Sequence, residues 1–138
     1  MLLLSIQPIY VDRIFAGTKT VELRKRRPNI GIGSRVVIYS TMPRCEIVGS
    51  ATIGEITVNT PAKIWKEHRL SCGVTKQEFD SYFAGCEHAV GIHLCEPILF
   101  KNAFPLNLLR SIWPGFHPPQ QFQYLAQSRF ESLFESVC

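Results

Sequence analysis

The sequence predicts an α+β fold in which a small, mixed and curved β-sheet forms a barrel and short helices lie between the strands. Three observations lead to this class. The 138 residues suffice for one hydrophobic core and leave little material for a second. Strand-like segments outnumber helix-like ones, and no Pro/Gly/Ser-rich linker or internal repeat divides the chain. Gly49 and Gly54 interrupt the longest strand, as bulges do where a sheet curls.

The first half of the chain predicts one helix and four strands. The helix begins at Pro8, because proline is favoured in a first helical turn, and it ends before Gly17, a typical stop residue. The segment 35–40 is mostly apolar, which indicates a central strand. The four strands are expected at residues 2–6, 19–24, 35–40 and 47–58.

The second half predicts two capped helices, a further strand and a terminal segment. Thr60 caps a helix that runs to about residue 68. The run Thr75-Lys-Gln-Glu78 has the form of a capping box and starts a second helix, which Gly85 ends. The remaining expectations are a strand at 88–101, a short helical turn at 106–112, a rigid irregular stretch at 113–120 and a terminal helix at 121–137.

Basic residues are concentrated near the amino terminus. The net charge is +4, but residues 1–44 alone carry eight Lys or Arg against two acidic residues, which makes that part +6 and the remainder −2. This asymmetry favours one anionic partner that docks on one surface. A hydrophobic content of 46% with 19% charged residues excludes an acidic disordered tail, a collagenous repeat and a disulfide miniprotein.

The cysteines and the amino terminus bear on location and on metal binding. The five cysteines are odd in number and include no C-x-x-C pair, which favours a reducing cytoplasm over a disulfide framework or a zinc ribbon. The apolar start is too short for a signal peptide or a membrane span, so we expect a buried strand there. A C-x-H…H-x-C pattern could supply zinc ligands, but it flanks a strand, and we predict no metal and no cofactor; its members are Cys86, His88, His93 and Cys95.

The stretch 17–28 carries the strongest functional signal. Lys19 stands at a strand entrance, and alternation places Glu22 and Arg24 on one face, about 6–7 Å apart. Glu22 is therefore placed to orient Arg24 or to accept a hydrogen bond from a ligand amine. The alternative is a surface ion pair of small energetic value beside a solvated basic hairpin.

The pattern Gly17-x-Lys19-x-x-Glu22-x-Arg24 resembles the G-x-K-x-x-E-x-R motif of the activating signal cointegrator homology (ASCH) family, whose fold is a small β-barrel similar to the PUA domain. The resemblance covers residues 1–112. The aromatic and proline-rich segment 113–138 is expected to pack on or extend the same domain, and its Trp113–Gln120 run resembles the close of a bacterial ASCH subgroup of regulators and RNA-binding proteins.

The resemblance implies a basic cleft that binds RNA, DNA or a modified nucleoside, with no role at a membrane. In that cleft Lys19 and Arg24 would meet phosphate or a base edge, and Glu22 would accept from an exocyclic amine. The basic run would spread the positive field along the rim. The expected binding residues are Lys19, Glu22, Arg24, Lys25, Arg26, Arg27, Arg35, Tyr39, Ser40 and Arg44.

Two other functions stay open. Some ASCH members are amidohydrolases that deacetylate N4-acetylcytidine with a lysine, a threonine and a glutamate. Lys19 stands at the lysine position, but Glu22 replaces the threonine, and the region around residues 71–73 has no glutamate where the third family residue would align. The alternative function is thus a small hydrolase, an N4-acylcytidine amidohydrolase or a ribonuclease, with Lys19 and Glu22 as catalytic residues. A third is a protein-interaction module that uses the carboxyl-terminal aromatic segment.

The aromatic residues of the carboxyl-terminal segment have two interpretations. Interleaved with prolines, they form a stiff amphipathic stretch that either seals the barrel or offers a platform for base stacking. We expect sealing, because a small domain needs apolar rings to cover its sheet. The residues concerned are Trp113, Phe116, Phe122 and Tyr124.

Overall fold

The computed structural model describes residues 1–135. This part of the chain contains six strands and five short helices. In chain order they are β1 (Leu2–Ile6), α1 (Pro8–Ala16), β2 (Val21–Arg24), β3 (Arg35–Ser40), β4 (Glu46–Asn59), α2 (Pro61–His68), α3 (Lys76–Tyr82), β5 (Ala89–Pro105), α4 (Leu106–Ile112), β6 (Phe122–Tyr124) and α5 (Gln127–Glu135).

All six strands form one curled sheet, and the predicted α+β fold with a curved mixed sheet is confirmed. The strand order is β2-β5-β4-β3-β1-β6, with β1 and β3 parallel and the other neighbours antiparallel. The β4–β5 register shifts beside Gly49 and between Ile53 and Ile56, so both predicted bulge positions lie at irregularities. A Cβ atom on Gly49 would lie 2.3 Å from the carbonyl oxygen of Ile98, so only glycine permits this close approach.

The helix ends follow the capping chemistry of the sequence. Gly17 ends α1 in the left-handed conformation, with φ of 85°. The Thr60 hydroxyl accepts from the Lys63 amide at the start of α2, and Thr75 and Glu78 form the predicted capping box of α3. Helix α3 ends at Tyr82, ahead of the expected stop at Gly85. Within residues 1–135, no helix is long and apolar enough to cross a membrane.

Three apolar clusters stabilise the sheet. The first fills the inside of the curl, with side chains from β1, β3, β4 and β5. The second lies on the opposite face, where α4, α5 and the carboxyl-terminal aromatics cover β1 and β3. The third packs α2 and α3 on the outer face of β2. Trp113 and Phe116 are buried in the second cluster, as the sealing interpretation predicts.

The predicted terminal helix at 121–137 is wrong in its first part. Residues Phe122–Tyr124 form β6, which pairs antiparallel with Leu2–Leu4 of β1, and helix α5 begins at Gln127. A three-residue strand has no periodicity of its own, and the free edge of β1 supplies the backbone partners that make it a strand. The last residues of the predicted helix, 136–137, lie outside the described part of the chain.

Candidate functional site

A cleft of about 570 Å³ opens between the ends of β1 and β2, helices α1 and α3, and the segment just before β6. Three predicted residues, Lys19, Glu22 and Arg24, line it. Alternation along β2 puts Glu22 and Arg24 on the same side of the strand. Lys19, which precedes β2, joins them through its contact with Glu22.

Lys19 is buried at one end of the cleft, with 1% of its surface exposed. Its ammonium donates to the carbonyl oxygens of Val21 at 3.0 Å and Cys72 at 2.5 Å. The same nitrogen lies 3.3 Å from Oε1 of Glu22. Because an ammonium has three N–H bonds, these partners use its full donor capacity. Lys19 is therefore a fixed cation that holds Glu22 and the loop containing Cys72.

Glu22 is the centre of the charged group. Its Oε1 accepts from the Leu23 amide at 3.0 Å and its Oε2 accepts from Nη2 of Arg24 at 3.2 Å. Burial by itself raises the pKa of this carboxyl, but the Lys19 ammonium, the Arg24 guanidinium and the Leu23 amide outweigh it and hold the pKa below its usual value. Glu22 is thus an ionised, rigid carboxylate in the cleft wall.

Arg24 connects the two strands on either side of the cleft. Its Nη2 also donates to the carbonyl oxygen of Ser5, 2.8 Å away, so that the guanidinium bridges β2 and β1, which are not neighbours in the sheet. Nε of Arg24 and Oγ of Ser5 are buried without hydrogen-bond partners in the described structure. Buried polar atoms without a partner are uncommon in folded proteins, and both of these belong to residues that line the cleft.

The loop after α2 packs tightly around Lys19. Gly73 has a φ of +66°, and a Cβ atom there would lie 2.7 Å from Cβ of Lys19. The carbonyl oxygen of Ser71 accepts from the amides of Thr20 and Val21, which ties the same loop to the start of β2. Glycine is required at position 73 both for its backbone conformation and for the space that the lysine occupies.

Tyr10 and Glu78 also line the cleft, and sequence reasoning missed both in this role. The Tyr10 hydroxyl donates to Oε2 of Glu78, while Lys19 Nζ lies 5.4 Å from the centre of the Tyr10 ring. Burial and the Glu78 hydrogen bond raise the pKa of Tyr10 to about 12. The Tyr10 hydroxyl, together with the backbone and side chain of Thr75, holds the pKa of Glu78 below its usual value.

The sequence did not indicate Glu78 as a cleft residue, because its role in the helix cap already explained it. The capping box accounts for this carboxylate within α3, so the sequence offered no reason to place it in a cleft. Residues 71–73 contain no glutamate, but α3 brings Glu78 into the same cleft as Lys19.

The basic run lies at the edge of the cleft and does not continue the strand, since β2 ends at Arg24. Lys25 Nζ lies 4.9 Å from the centre of the Tyr82 ring, and Tyr82 lines the cleft. The Tyr82 hydroxyl is 3.5 Å from Oε1 of Gln121, another lining residue that sequence reasoning missed. Arg26 and Arg27 are exposed beside Lys25. We call Lys25, Arg26 and Arg27 the basic rim.

Seven of the expected binding residues lie outside the cleft lining: the three of the basic rim and four others. The guanidinium of Arg35 covers the Phe130 ring at 5.0 Å, and Tyr39 is buried in the second cluster. Ser40 is fully buried with its hydroxyl unpartnered, and Arg44 forms a surface ion pair with Asp12. Packing in the second cluster holds Tyr39 away from the cleft, and Thr41, just past the end of β3, lines the cleft.

The side chains of the C-x-H…H-x-C pattern do not form a metal-binding cluster in residues 1–135. Nδ1 of His93 lies 3.8 Å from Sγ of Cys95, but across residues 1–135 no three His, Cys, Asp or Glu side chains are close enough to hold a metal ion. His93 instead lines a hollow of about 180 Å³ on the outer side of β2, together with His68. Nε2 of His68 lies 2.9 Å from Oγ1 of Thr57.

Comparison with known proteins assigns the chain to a family. The model of a family described as a domain of unknown function (DUF365), which is an ASCH-type domain, matches residues 3–108. The chain belongs to this family. The resemblance inferred from the Lys19-x-x-Glu22-x-Arg24 motif is thereby confirmed, and with it the ASCH fold.

Individual ASCH relatives are similar over nearly the whole chain. An ASCH domain-containing ribonuclease of Zymomonas mobilis is 29% identical over 132 residues, which cover 94% of this chain and 87% of that protein. A crystal structure of ASCH from Zymomonas mobilis has a TM-score of 0.89 at 28% identity and covers 97% of this chain and 93% of that one. The N-terminal domain of Staphylothermus marinus McrB shares the fold alone, with a TM-score of 0.62 at 14% identity over 97% of this chain and 92% of that one.

Proposed function

We propose that this ASCH protein binds RNA and holds one nucleotide in the cleft. The observation that carries the proposal is the ionised Glu22, fixed between Lys19 and Arg24 in a concave wall. A volume of about 570 Å³ lies within the range of sites for small ligands, and it suits a single nucleotide better than a duplex. The similarity to a protein named as a ribonuclease supports RNA as the polymer.

The contacts support different tasks for the charged residues. Glu22 has lone pairs beyond those used by its partners, so it can accept from an exocyclic amine of a base. Lys19 has no donor left for a ligand and positions Glu22 instead, which differs from the phosphate contact that the family resemblance implied. The exposed cations of the basic rim remain available for the phosphate backbone. The four free cysteines of the described chain agree with a cytoplasmic location, which the proposal includes.

A cleft-filling variant tests the proposal without deleting a buried charge. Thr41→Trp places a large side chain in the cleft, and Leu70→Trp adds the same side chain at a loop position that is 89% exposed. We expect fluorescence anisotropy at low salt to show binding of a short RNA, weakened about tenfold or more by Thr41→Trp and unchanged by Leu70→Trp. A DNA of the same sequence measures discrimination by the 2′-hydroxyl. Absence of RNA binding, or equal behaviour of the two variants, would refute the proposal.

RNA cleavage in the same cleft is a second candidate function. Glu78 and Tyr10 favour it, since a carboxylate and a hydrogen-bonded phenol line the cleft beside Lys19 and Arg24. In such a reaction the 2′-hydroxyl attacks the adjacent phosphorus and loses its proton to Glu78. The bond to the 5′-oxygen breaks, a 2′,3′-cyclic phosphate forms, and the leaving oxygen takes the proton of Tyr10.

The cleavage candidate is tested with the purified chain, a fluorescent single-stranded RNA and a copy with 2′-deoxy sugars. We expect cleavage of the RNA alone, and a loss of about a hundredfold or more in rate with Glu78→Gln at unchanged binding. Incubation with N4-acetylcytidine distinguishes the amidohydrolase alternative. If Glu78→Gln cleaves RNA as fast as the unmodified chain, this assignment of the base is wrong.

A further inference from the structure

An aromatic strip leads away from the cleft along the edge of the sheet. Gln121 lines the cleft, and the chain then continues directly into β6, which is an edge strand. Phe122 and Tyr124 are two residues apart and therefore share one face of β6, with ring centres 6.0 Å apart. Tyr124 is 58% exposed, whereas Trp113 and Phe116 of the same segment are buried. We call Phe122 and Tyr124 the aromatic strip.

The loop that follows β2 lies against this strip and brings positive charge to it. The guanidinium of Arg26 is 5.2 Å from the centre of the Phe122 ring. The backbone amide of Asn29 donates to the Tyr124 hydroxyl at 2.8 Å. This contact fixes the ring of Tyr124 by its edge, so a face of the ring remains available for stacking. Cleft, basic rim and aromatic strip thus form one continuous surface.

We propose that the aromatic strip extends the site, so that single-stranded RNA continues from the cleft along β6, with a base stacked on Tyr124 and its phosphate beside Arg26. This inference rests on the proposed function and specifies the form of its ligand. Exposed aromatic rings interleaved with cations are the usual means of binding single strands, because every base has a face that can stack. A duplex keeps its bases stacked within the helix and offers none of them to Tyr124.

Charge favours RNA over a protein partner as the occupant of this surface. The rim supplies three cations within three residues, and the two aromatic rings are a small apolar area for a protein interface. Phosphate neutralisation by Lys and Arg is the main source of nucleic-acid affinity, whereas the cores of protein interfaces are depleted of charge. A protein partner on the strip would bind whether or not the cleft is filled.

The test compares oligonucleotides of increasing length on the full chain. The probes are 2′-O-methyl RNAs of two, four and eight nucleotides, which resist cleavage that starts from the 2′-hydroxyl. We expect affinity to rise from the dinucleotide to the longer probes. Tyr124→Leu keeps an apolar side chain but removes the aromatic face, and it should weaken the longer probes about five- to hundredfold with little effect on the dinucleotide. Tyr124→Phe, which keeps the ring, should bind nearly as the unmodified chain does.

Gln123→Ala is the matched control, because this residue lies on β6 between the two rings and points to the opposite face. Equal binding of the octanucleotide by Tyr124→Leu and Gln123→Ala would overturn the inference, as would affinity that does not depend on length. If Thr41→Trp still blocks the dinucleotide in that case, the proposed function stands. If no probe binds the unmodified chain, both fail. Thermal unfolding of each variant confirms that the compared proteins are folded.

Discussion

The cleft and the basic rim use the same residue types in opposite ways, although they are adjacent in sequence. In the cleft, Lys19 and Arg24 are buried, and both contact Glu22. On the rim, Lys25 and Arg26 are exposed and lie over aromatic rings, and within residues 1–135 no ion pair joins them to a carboxylate. Four cations within eight residues thus divide into two fixed by the fold and two open to solvent.

The buried cations shape the cleft, whereas the exposed cations attract a charged ligand. Burying an ion is costly unless a partner and hydrogen bonds compensate, so the cations of the cleft are part of the folded structure and set the position of Glu22. Exposed cations contribute little to folding but act at a distance on a polyanion. Substitutions in the cleft should therefore change stability first, and substitutions on the rim should change binding and its salt dependence.

The largest effect is expected for Glu22→Gln. It leaves Lys19 and Arg24 buried without a counter-charge, and breaking such a pair costs about 3–5 kcal/mol of unfolding free energy. Urea denaturation at neutral pH measures the loss. If the free energy of unfolding falls by less than about 1 kcal/mol, the ion pairs of Glu22 contribute no more than a surface ion pair does.

The acid dependence of stability checks the same carboxylate. Because folding lowers the pKa of Glu22, its contribution to stability is complete above the ordinary glutamate pKa and is lost as the pH falls through the lowered value. The unmodified chain should therefore lose stability in this acid range more steeply than Glu22→Gln. Parallel curves for the two proteins would contradict the assignment.

A smaller loss is expected for Gly73→Ala. Alanine at this position would have a strained backbone conformation, and its methyl group would collide with the Lys19 side chain. Together these effects should lower the free energy of unfolding by about 1–3 kcal/mol. Gly85→Ala is the control, because Gly85 also has a positive φ, of +78°, but no atom lies within 4 Å of an added Cβ. The difference between the two midpoints in urea isolates the contact with Lys19. Equal midpoints would show that the loop tolerates a displaced lysine.

The smallest effect on stability, within about 0.5 kcal/mol, is expected for Arg26→Gln on the rim. Its effect on binding is specific, because the variant should reduce the slope of log affinity against log salt by about 0.7 for a single-stranded RNA. Lys101→Gln removes a charge from an exposed position on β5 outside the cleft lining and should leave the slope unchanged. An unchanged slope for Arg26→Gln would remove the rim from the binding surface.

The sequence by itself determined the local features of this protein. Proline, glycine and capping residues set the helix ends, because those rules act within a few residues. Alternation over residues 21–24 put Glu22 and Arg24 on one face, and the four-residue motif identified the ASCH family and its fold.

Only the tertiary structure decided which distant groups meet in the cleft. Tyr10, Glu78 and Gln121 come from three separate elements, and no periodicity connects them. Pairing with β1 made residues 122–124 a strand and turned Tyr124 into an exposed ring beside the rim. Packing against α4 and α5 buried Tyr39, which the strand pattern alone left available. Local rules specify what each segment becomes, whereas burial and long-range pairing decide which side chains remain to meet a ligand.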